Sequence, residues 1–249
     1  MAKDDTSLLR FEDLATTIAL LTRVPVRARF ERGARAAWAY PFAGVVVSGL
    51  AALPTWAALS VGLTPMLAAL VWLAATVVLT GAMHEDGLAD CADGFWGGWE
   101  TARRLEIMKD SQIGSYGVIA LCLSLAGRWG AVSLILAQTG WFPALLATAV
   151  LSRATMPALM AALPHARDFG LSHAQGRPGT ATAMIAAALA ALTALALSGP
   201  FALILIGLAG LSALCAALIA RSKIGGQTGD VLGATQQISE IALLCALTL

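Results

Sequence analysis

The sequence predicts an all-α, polytopic membrane helix bundle, and three observations lead to this prediction. Of the 249 residues, 58% are hydrophobic and 12% are charged, whereas a soluble domain carries about 25% charged residues. No charged residue occurs between Arg35 and His84, or between Arg177 and Arg221. No segment alternates strictly between apolar and polar residues, as membrane β-strands do. Because lipid offers no hydrogen-bond partners to the backbone, the apolar runs are expected to be helices.

The number of spans follows from the lengths of these runs. Each charge-free stretch has room for two helices of about 20 residues, the length needed to cross about 30 Å of hydrocarbon. Turn signals divide the stretches at 61–65 and 198–200. A third helix pair is expected over 117–163, and a last apolar run covers 236–249. The sequence therefore predicts a single membrane domain over residues 1–249, with six transmembrane helices and a short seventh.

The positions of the basic residues predict the orientation. Four polar segments, at 23–35, 103–109, 167–177 and 221–223, hold most of the lysines and arginines, whereas the three turns between paired helices carry no charge. Consecutive helical hairpins place all four segments on one face of the membrane. The positive-inside rule makes this face cytoplasmic, so the charged loops and any chemistry are expected there.

The N-terminal region, residues 1–35, is predicted to form an amphipathic helix and a basic loop. Phe11, Leu14, Ile18 and Leu21 recur at helical spacing, with polar residues on the opposite side. This pattern is typical of a helix that lies in the membrane interface or caps a helix bundle.

An acidic segment, residues 84–113, is the first candidate site. Asp86, Asp90 and Asp93 are spaced so that they share one face of a helix, and such a row of like charges needs a neutralising cation. Oxygen ligands select Mg²⁺, with Mn²⁺ as an alternative, and Mg²⁺ is commonly completed by a substrate phosphate. His84 is a candidate ligand or proton acceptor. The alternatives are a solvated acidic loop without a metal and an interfacial histidine.

Basic residues follow the acidic row. Arg103, Arg104 and Lys109 lie within two helical turns, and guanidinium groups suit phosphate oxygens. These residues are candidate ligands of a diphosphate. Salt bridges to Glu100 and Glu106 are the alternative.

A glycine-rich loop, residues 221–235, is the second candidate site. Glycines let backbone N–H groups approach an anion, so we count Gly225, Gly226 and Thr228 as candidate substrate-binding residues. Asp230 adds a carboxylate on the same membrane face. A glycine turn that ends a helix is the alternative. The sequence contains no P-loop motif, which disfavours nucleotide hydrolysis of that type.

Three charged residues fall inside predicted spans, namely Arg128, Arg153 and Glu240. A charge at membrane depth costs several kcal/mol unless it is paired or lies in a wet cavity. We expect these residues to face the bundle interior, where they pair with one another or, as a possible role for Arg153, bind substrate.

Three blocks of sequence resemble one known family. They are HEDGLADCADG at 84–94, RLEIMKDSQIG at 104–114 and GGQTGDVLGA at 225–234. Their identity and order resemble the cobalamin synthase family, adenosylcobinamide-GDP ribazoletransferase, and the likeness covers essentially the whole chain.

The resemblance implies a multi-pass enzyme of the cell inner membrane that assembles the nucleotide loop of vitamin B12. Its substrates would be adenosylcobinamide-GDP and α-ribazole, or α-ribazole 5′-phosphate. Its products would be adenosylcobalamin, or the 5′-phosphate, and GMP, with Mg²⁺ required. Other late cobalamin-pathway enzymes are candidate partners, and the spans rich in glycine and alanine would allow a homo-oligomer. Nucleic acid is excluded as a partner, because the net charge is +1 and no basic run occurs.

The implied chemistry assigns roles to the acidic residues. The ribazole 3′-hydroxyl would attack the phosphorus nearest cobinamide, and GMP would leave. Two metal ions, about 4 Å apart, would be held by Asp86, Asp90 and Asp93, and completed by Asp230. One aspartate would alternatively serve as the base. Glu85 stands where the family usually has an apolar residue, and would add a metal ligand.

Two alternatives come from other protein classes. CDP-alcohol phosphotransferases carry Asp-Gly-x-x-Ala-Arg, whereas Asp86-Gly87 is followed here by Leu88-Ala89-Asp90. A transporter would explain the charges within the spans, but transport sites usually lie at mid-membrane rather than in an acidic loop.

Overall fold

The computed structural model describes residues 7–249, and this part of the chain is helical, without a β-strand. Short 3₁₀ segments occur at Gly33–Ala39 and Gly199–Phe201. The α-helices are α1 (Glu12–Leu21), α2 (Tyr40–Ser60), α3 (Pro65–Thr80), α4 (Met83–Gly97), α5 (Thr101–Ile107), α6 (Ser115–Leu136), α7 (Trp141–Ala162), α8 (Leu171–Gln175), α9 (Thr180–Ser198), α10 (Ala202–Ile224) and α11 (Gly229–Ala246). The predicted all-α membrane bundle is confirmed.

Each predicted helix pair is present, but fewer helices qualify as spans than the six or seven predicted. Within residues 7–249, four stretches are long and apolar enough to cross a membrane, or five if α3 and α4 together form one bent span. The four are Gly33–Ser60, Ser115–Leu136, Trp141–Ala162 and Thr180–Ile224. The helix α3 has 16 residues, a length of about 24 Å, which is short of a full span.

The stretch Thr180–Ile224 contains both α9 and α10. As one straight helix, its 45 residues would measure about 67 Å, more than twice the hydrocarbon thickness. The Gly199–Phe201 turn divides it. The helix α9 packs on the Gly33–Ala39 segment, whereas α10 contacts α5. With 19 and 23 residues, each helix has about the length of one pass.

The last helix differs from the prediction of a short apolar span. α11 begins at Gly229 rather than near residue 236, and it is not among the stretches apolar enough to span a membrane. It packs against α4, α7, α10 and α6. Its buried face includes several polar side chains, namely Thr235, Gln236, Gln237, Ser239 and Glu240. The helix is therefore an interior element that carries polar groups into the bundle.

The N-terminal helix is present and amphipathic, and its polar side faces the protein. Asp13 and Thr17 are buried. The Asp13 carboxylate accepts hydrogen bonds from Arg32 Nε and Trp38 Nε1, both at 2.7 Å. Phe11, by contrast, is 89% exposed. Leu21, at the end of α1, is buried in the core, so α1 caps the bundle through its polar side and its C-terminal end.

The first part of the predicted acidic loop is a helix, α4. Its axis lies at 86° to that of α3, and the chain turns through Gly81 and Ala82, which have φ of 65° and 57°. Ala82 is the one non-glycine residue with positive φ among residues 7–249, a conformation that costs about 1–2 kcal/mol. Because α4 carries four carboxylates in 15 residues, it is too polar for lipid, and we count it outside the membrane-spanning segments.

Candidate active site

The site lies where α4 crosses α11, and two glycines permit the close approach. A Cβ atom on Gly87 would lie 2.6 Å from the backbone oxygen of Asp230. A Cβ atom on Gly233 would lie 3.1 Å from His84 Cα. Because neither residue has a side chain, the two backbones touch. The two predicted motifs, at 84–94 and 225–234, are thereby brought together.

Asp230 opens the first turn of α11, and its carboxylate is held from two sides. Its Oδ2 accepts a hydrogen bond from Thr228 Oγ1 at 3.2 Å and pairs with Arg167 Nη2 at 3.1 Å. Thr228 Oγ1 accepts a hydrogen bond from Val231 N–H at 3.3 Å and so caps the helix. A helix N-terminus favours negative charge, which suits a carboxylate at this position.

Asp86 and Asp90 contribute the remaining charge at the crossing. Burial first, and then the neighbouring carboxylates of Asp86, Asp230 and Asp93, raise the pKa of Asp90 to about 7 against the opposing effect of Arg167. Burial also raises the pKa of Asp230, although Arg167 and Thr228 lower it. The site thus crowds carboxylates beside one guanidinium group.

Asp93 shares this face of α4, but its oxygens are already engaged. Oδ2 accepts a hydrogen bond from Gly114 N–H at 2.7 Å, and Oδ1 accepts one from Gly117 N–H at 2.9 Å. Both donors belong to the start of α6. In this structure Asp93 ties α4 to α6, and we leave it out of the proposed ligand set.

Glu85 points away from the aspartates into the bundle. Its Oε1 accepts a hydrogen bond from Arg128 Nη1 at 2.8 Å. Arg128 Nε lies 3.2 Å from Glu240 Oε1, and Arg128 Nη1 also donates to Gln237 Oε1 at 2.7 Å. The hypothesis that Glu85 adds a metal ligand is not supported by this placement, because its carboxylate is used by an arginine.

Arg153 and His84 also lie in the interior. Arg153 Nη1 donates to the Ala149 carbonyl at 3.1 Å. Both residues line a polar cavity of about 20 Å³ together with Glu85 and Arg128. Among the described residues, none hydrogen-bonds to His84 Nε2. His84 also lines a second cavity, of about 140 Å³, whose wall includes Asp86. Arg153 does not line that cavity, so it belongs with the interior charges.

The basic residues after α4 are engaged locally. Arg104 donates to the carbonyls of Gly98 at 3.0 Å and Lys223 at 2.8 Å, which joins α5 to the end of α10. Arg103 forms an exposed ion pair with Glu106 at 2.7 Å. Lys109 Nζ lies 5.1 Å from the centre of the Phe169 ring. None of these three residues lines a cleft or a cavity that Asp86 also lines.

The glycine-rich loop is built by backbone pairing. Gly225, with φ of 76°, ends α10. Gly226 lies against the backbone of Pro164, where a Cβ atom would overlap the carbonyl oxygen. Gln227 N–H donates to Pro164 O at 2.8 Å, and Ala166 N–H donates to Gln227 O at 3.0 Å. The two glycines thus have conformational and steric roles in the loop, and their anion-binding role stays a prediction.

This backbone pairing brings Arg167 to Asp230, a contact that the sequence reasoning missed. The one available signal was the position of Arg167 at the start of a basic segment, which did not distinguish it from its neighbours. Only the tertiary pairing of 164–166 with Gln227 places its guanidinium at the site.

Two spaces meet at Asp86. An open cleft of about 710 Å³ is bordered by the end of α1, the following segment and the α3–α4 bend, with Arg23 and Phe30 among its lining residues. A smaller cavity of about 140 Å³ lies between α1, α4, α7, α8 and α11, with Arg167 and Asp230 in its wall. Asp86 lines both, which is the geometry needed for two ligands to meet at one group.

The carboxylates do not form a closed metal cage. Over residues 7–249, no three His, Cys, Asp or Glu side chains are grouped so that they could hold a metal ion by themselves. Any metal at this site would need oxygen ligands from water or from a bound substrate.

Comparisons with known proteins identify the family. A family model described as cobalamin-5-phosphate synthase matches residues 13–248. Proteins named adenosylcobinamide-GDP ribazoletransferase are similar along nearly their whole length. The protein of Bradyrhizobium diazoefficiens is 45% identical, over 93% of this chain and 91% of its own. That of Mesorhizobium japonicum is 44% identical, over 94% and 91%. That of Sinorhizobium medicae is 42% identical, over 96% and 97%. No solved structure matches the chain. The chain is therefore an enzyme and belongs to the cobalamin-5-phosphate synthase family.

Proposed function

We propose that this member of the family transfers the adenosylcobinamide phosphate group from adenosylcobinamide-GDP to α-ribazole or its 5′-phosphate, and that it does so at the cytoplasmic face of the inner membrane. The observation that carries the proposal is the group of Asp86, Asp90 and Asp230 at a crossing open to two spaces that share Asp86. The donor substrate is the one for which the relatives are named.

The reaction joins two substrates at one phosphorus. The 3′-hydroxyl oxygen of the ribazole forms a bond to the phosphorus nearest cobinamide, and the bond from this phosphorus to the oxygen of GMP breaks. The hydroxyl proton passes to a base, and GMP departs with the bonding electrons. Two spaces that share Asp86 suit this requirement, since each substrate would approach the reacting atoms from its own side.

Magnesium fits the ligands available here. Asp86, Asp90 and Asp230 offer only oxygen atoms, and Mg²⁺ typically uses one or two carboxylates, several waters and substrate phosphates. An open carboxylate group therefore suits Mg²⁺ better than a metal that needs a full protein cage. When bound, Mg²⁺ would neutralise negative charge on the phosphoryl oxygens, and Mn²⁺ could replace it. Any second ion would depend mainly on substrate oxygens, because Asp93 is engaged at α6.

Arg167 is the cation that the structure places at these carboxylates. Its guanidinium holds Asp230 at 3.1 Å and lines the smaller cavity. Guanidinium groups bind phosphate oxygens in two-pronged fashion. We assign to Arg167 both the orientation of Asp230 and a contact to the diphosphate of the donor.

A direct assay tests the proposal. Purified protein in liposomes would receive adenosylcobinamide-GDP and α-ribazole with Mg²⁺ or with EDTA, and the release of GMP would be followed together with the corrinoid product. We expect Mg²⁺-dependent turnover, and a loss of about 10²-fold in Asp86→Asn and Asp230→Asn, equivalent to about 2.7 kcal/mol. Glu100→Gln, an exposed carboxylate, is the matched control and should retain activity.

The outcomes separate the reaction from the site. Absence of GMP release by folded wild-type protein with both substrates and Mg²⁺ would refute the activity. Turnover that persists in both Asp variants would keep the activity and refute the assignment of the site to the α4–α11 crossing.

A further inference from the structure

We propose that the open cleft at the end of α1 is the binding site for the acceptor nucleoside in its 5′-phosphorylated form, and that Arg23 binds this phosphate. The inference rests on the proposed function, and it concerns which acceptor the enzyme prefers. The comparisons leave this preference open, because the description of the family specifies a 5-phosphate product whereas the names of the relatives specify the transfer of ribazole.

The size of the cleft suits the smaller of the two substrates. Its volume is about 710 Å³, within the range of about 300–1,000 Å³ that is usual for small-molecule sites. A corrinoid linked to GDP is far larger than a nucleoside phosphate. Asp86 lines the cleft, so a nucleoside bound here with its sugar toward Asp86 would present a hydroxyl group to the proposed reacting centre.

Arg23 is the one lysine or arginine that lines this cleft. Its backbone is fixed, since its N–H donates to Leu79 O at 2.7 Å. Its side chain crosses Gly81, where a Cβ atom would overlap the guanidinium. Arg32 of the same segment is bound to Asp13, whereas no described residue pairs with the Arg23 guanidinium. Arg23 is exposed, and a guanidinium without a counter-ion at the wall of a cleft suits a ligand phosphate.

Two further groups in the cleft match the rest of a nucleoside. Phe30 is 48% exposed and lines the cleft, which gives a planar base an aromatic surface. Gln175 lines both the cleft and the smaller cavity, and its buried side-chain oxygen has no hydrogen-bond partner among the described residues. A buried acceptor without a partner is unfavourable, and a donor on the ligand would satisfy it.

In the proposed arrangement, the phosphate lies at Arg23, the base lies at Phe30, and the sugar hydroxyl points toward Asp86. It predicts that α-ribazole 5′-phosphate has a lower KM than α-ribazole. The difference should depend on the guanidinium of Arg23, because the two acceptors differ only in the phosphate.

The test compares both acceptors in matched variants. Arg23→Met is expected to raise KM for α-ribazole 5′-phosphate by about 10- to 100-fold, while KM for α-ribazole changes less than about twofold and kcat with either acceptor is retained. Arg23→Lys should recover part of the selectivity. Arg27→Met is the control, since Arg27 belongs to the same segment and does not line the cleft. Phe30→Ala should raise KM for both acceptors alike.

Equilibrium dialysis of labelled α-ribazole 5′-phosphate gives a second readout that needs no turnover, and Arg23→Met should weaken its binding by the same factor. The assignment of the phosphate to Arg23 would be overturned if the wild type had equal KM values for the two acceptors. It would also be overturned if Arg23→Met left both KM values unchanged or raised both by the same factor. GMP release that fails with either acceptor in folded wild-type protein would instead refute the proposed function.

Discussion

Replacement of Arg128 by methionine tests how the bundle neutralises its interior charges. Arg128 is 1% exposed and joins two carboxylates, Glu85 at 2.8 Å and Glu240 at 3.2 Å. Together with Arg153, these groups form a buried cluster with two positive and two negative charges around one small cavity. Methionine keeps a long apolar side chain at position 128 but removes the charge, so the cluster would carry one excess negative charge.

The expected loss of stability is large. Removal of one partner from a buried ion pair costs about 3–5 kcal/mol, against a total of about 5–15 kcal/mol for a folded domain. For a chain of this size, about 2–4 °C of Tm is lost per kcal/mol, so we expect Arg128→Met to lower Tm by about 6–20 °C. Thermal unfolding in detergent, followed by the intrinsic fluorescence of the seven tryptophans, measures this shift.

The double variant Arg128→Met/Glu85→Leu is the decisive comparison. It removes one charge of each sign, and leaves Glu240 to balance Arg153 in the same cavity. Replacement of a whole buried ion pair by apolar residues is often neutral or stabilising, so the double variant should recover most of the lost Tm. A double variant no more stable than the single one, or a single variant as stable as wild type, would refute the charge-balance reasoning.

Three further predictions concern the active site. Gly87→Ala should lower the rate of GMP release about 10- to 100-fold, because the added Cβ atom would push α4 away from the Asp230 backbone and a displacement of about 1 Å suffices for such a loss. Gly127→Ala is the control and should retain the rate, because a Cβ atom there meets open space. Arg167→Gln removes a group that lowers the pKa of Asp230, so this carboxylate would ionise at higher pH. The acidic limb of the pH–activity profile should therefore move upward. Asp93→Asn should lower the free energy of unfolding by about 1.5–3 kcal/mol, the value of a hydrogen bond to a charged group, without a change in Mg²⁺ dependence.

The helix positions were predictable from the sequence because they depend on local composition. Charge-free stretches and the turns within them gave α2, α3, α9 and α10 with boundaries close to those observed. The interior position of α11 was not predictable from local composition. Its polar residues are buried against other helices, and that environment exists only in the assembled bundle.

The site was predicted in part. The shared face of Asp86 and Asp90 and the approach of Asp230 follow from helical spacing and from membrane orientation. The direction of Glu85 does not, because adjacent residues on a helix point about 100° apart, and the sequence does not say which direction faces the interior. Arg167 required the pairing of two loops distant in sequence, which no local pattern encodes.

The two faces of α4 explain why the site would need a cation although the bundle interior does not. On the interior face, the carboxylate of Glu85 is matched by Arg128, and the cluster around it is neutral. On the other face, Asp86, Asp90 and Asp230 stand against a single guanidinium, that of Arg167. With all three carboxylates ionised, the group has a net charge of −2, which one Mg²⁺ would neutralise. One helix thus separates a charge balance that stabilises the bundle from a charge excess that suits a metal and the phosphates of its substrate.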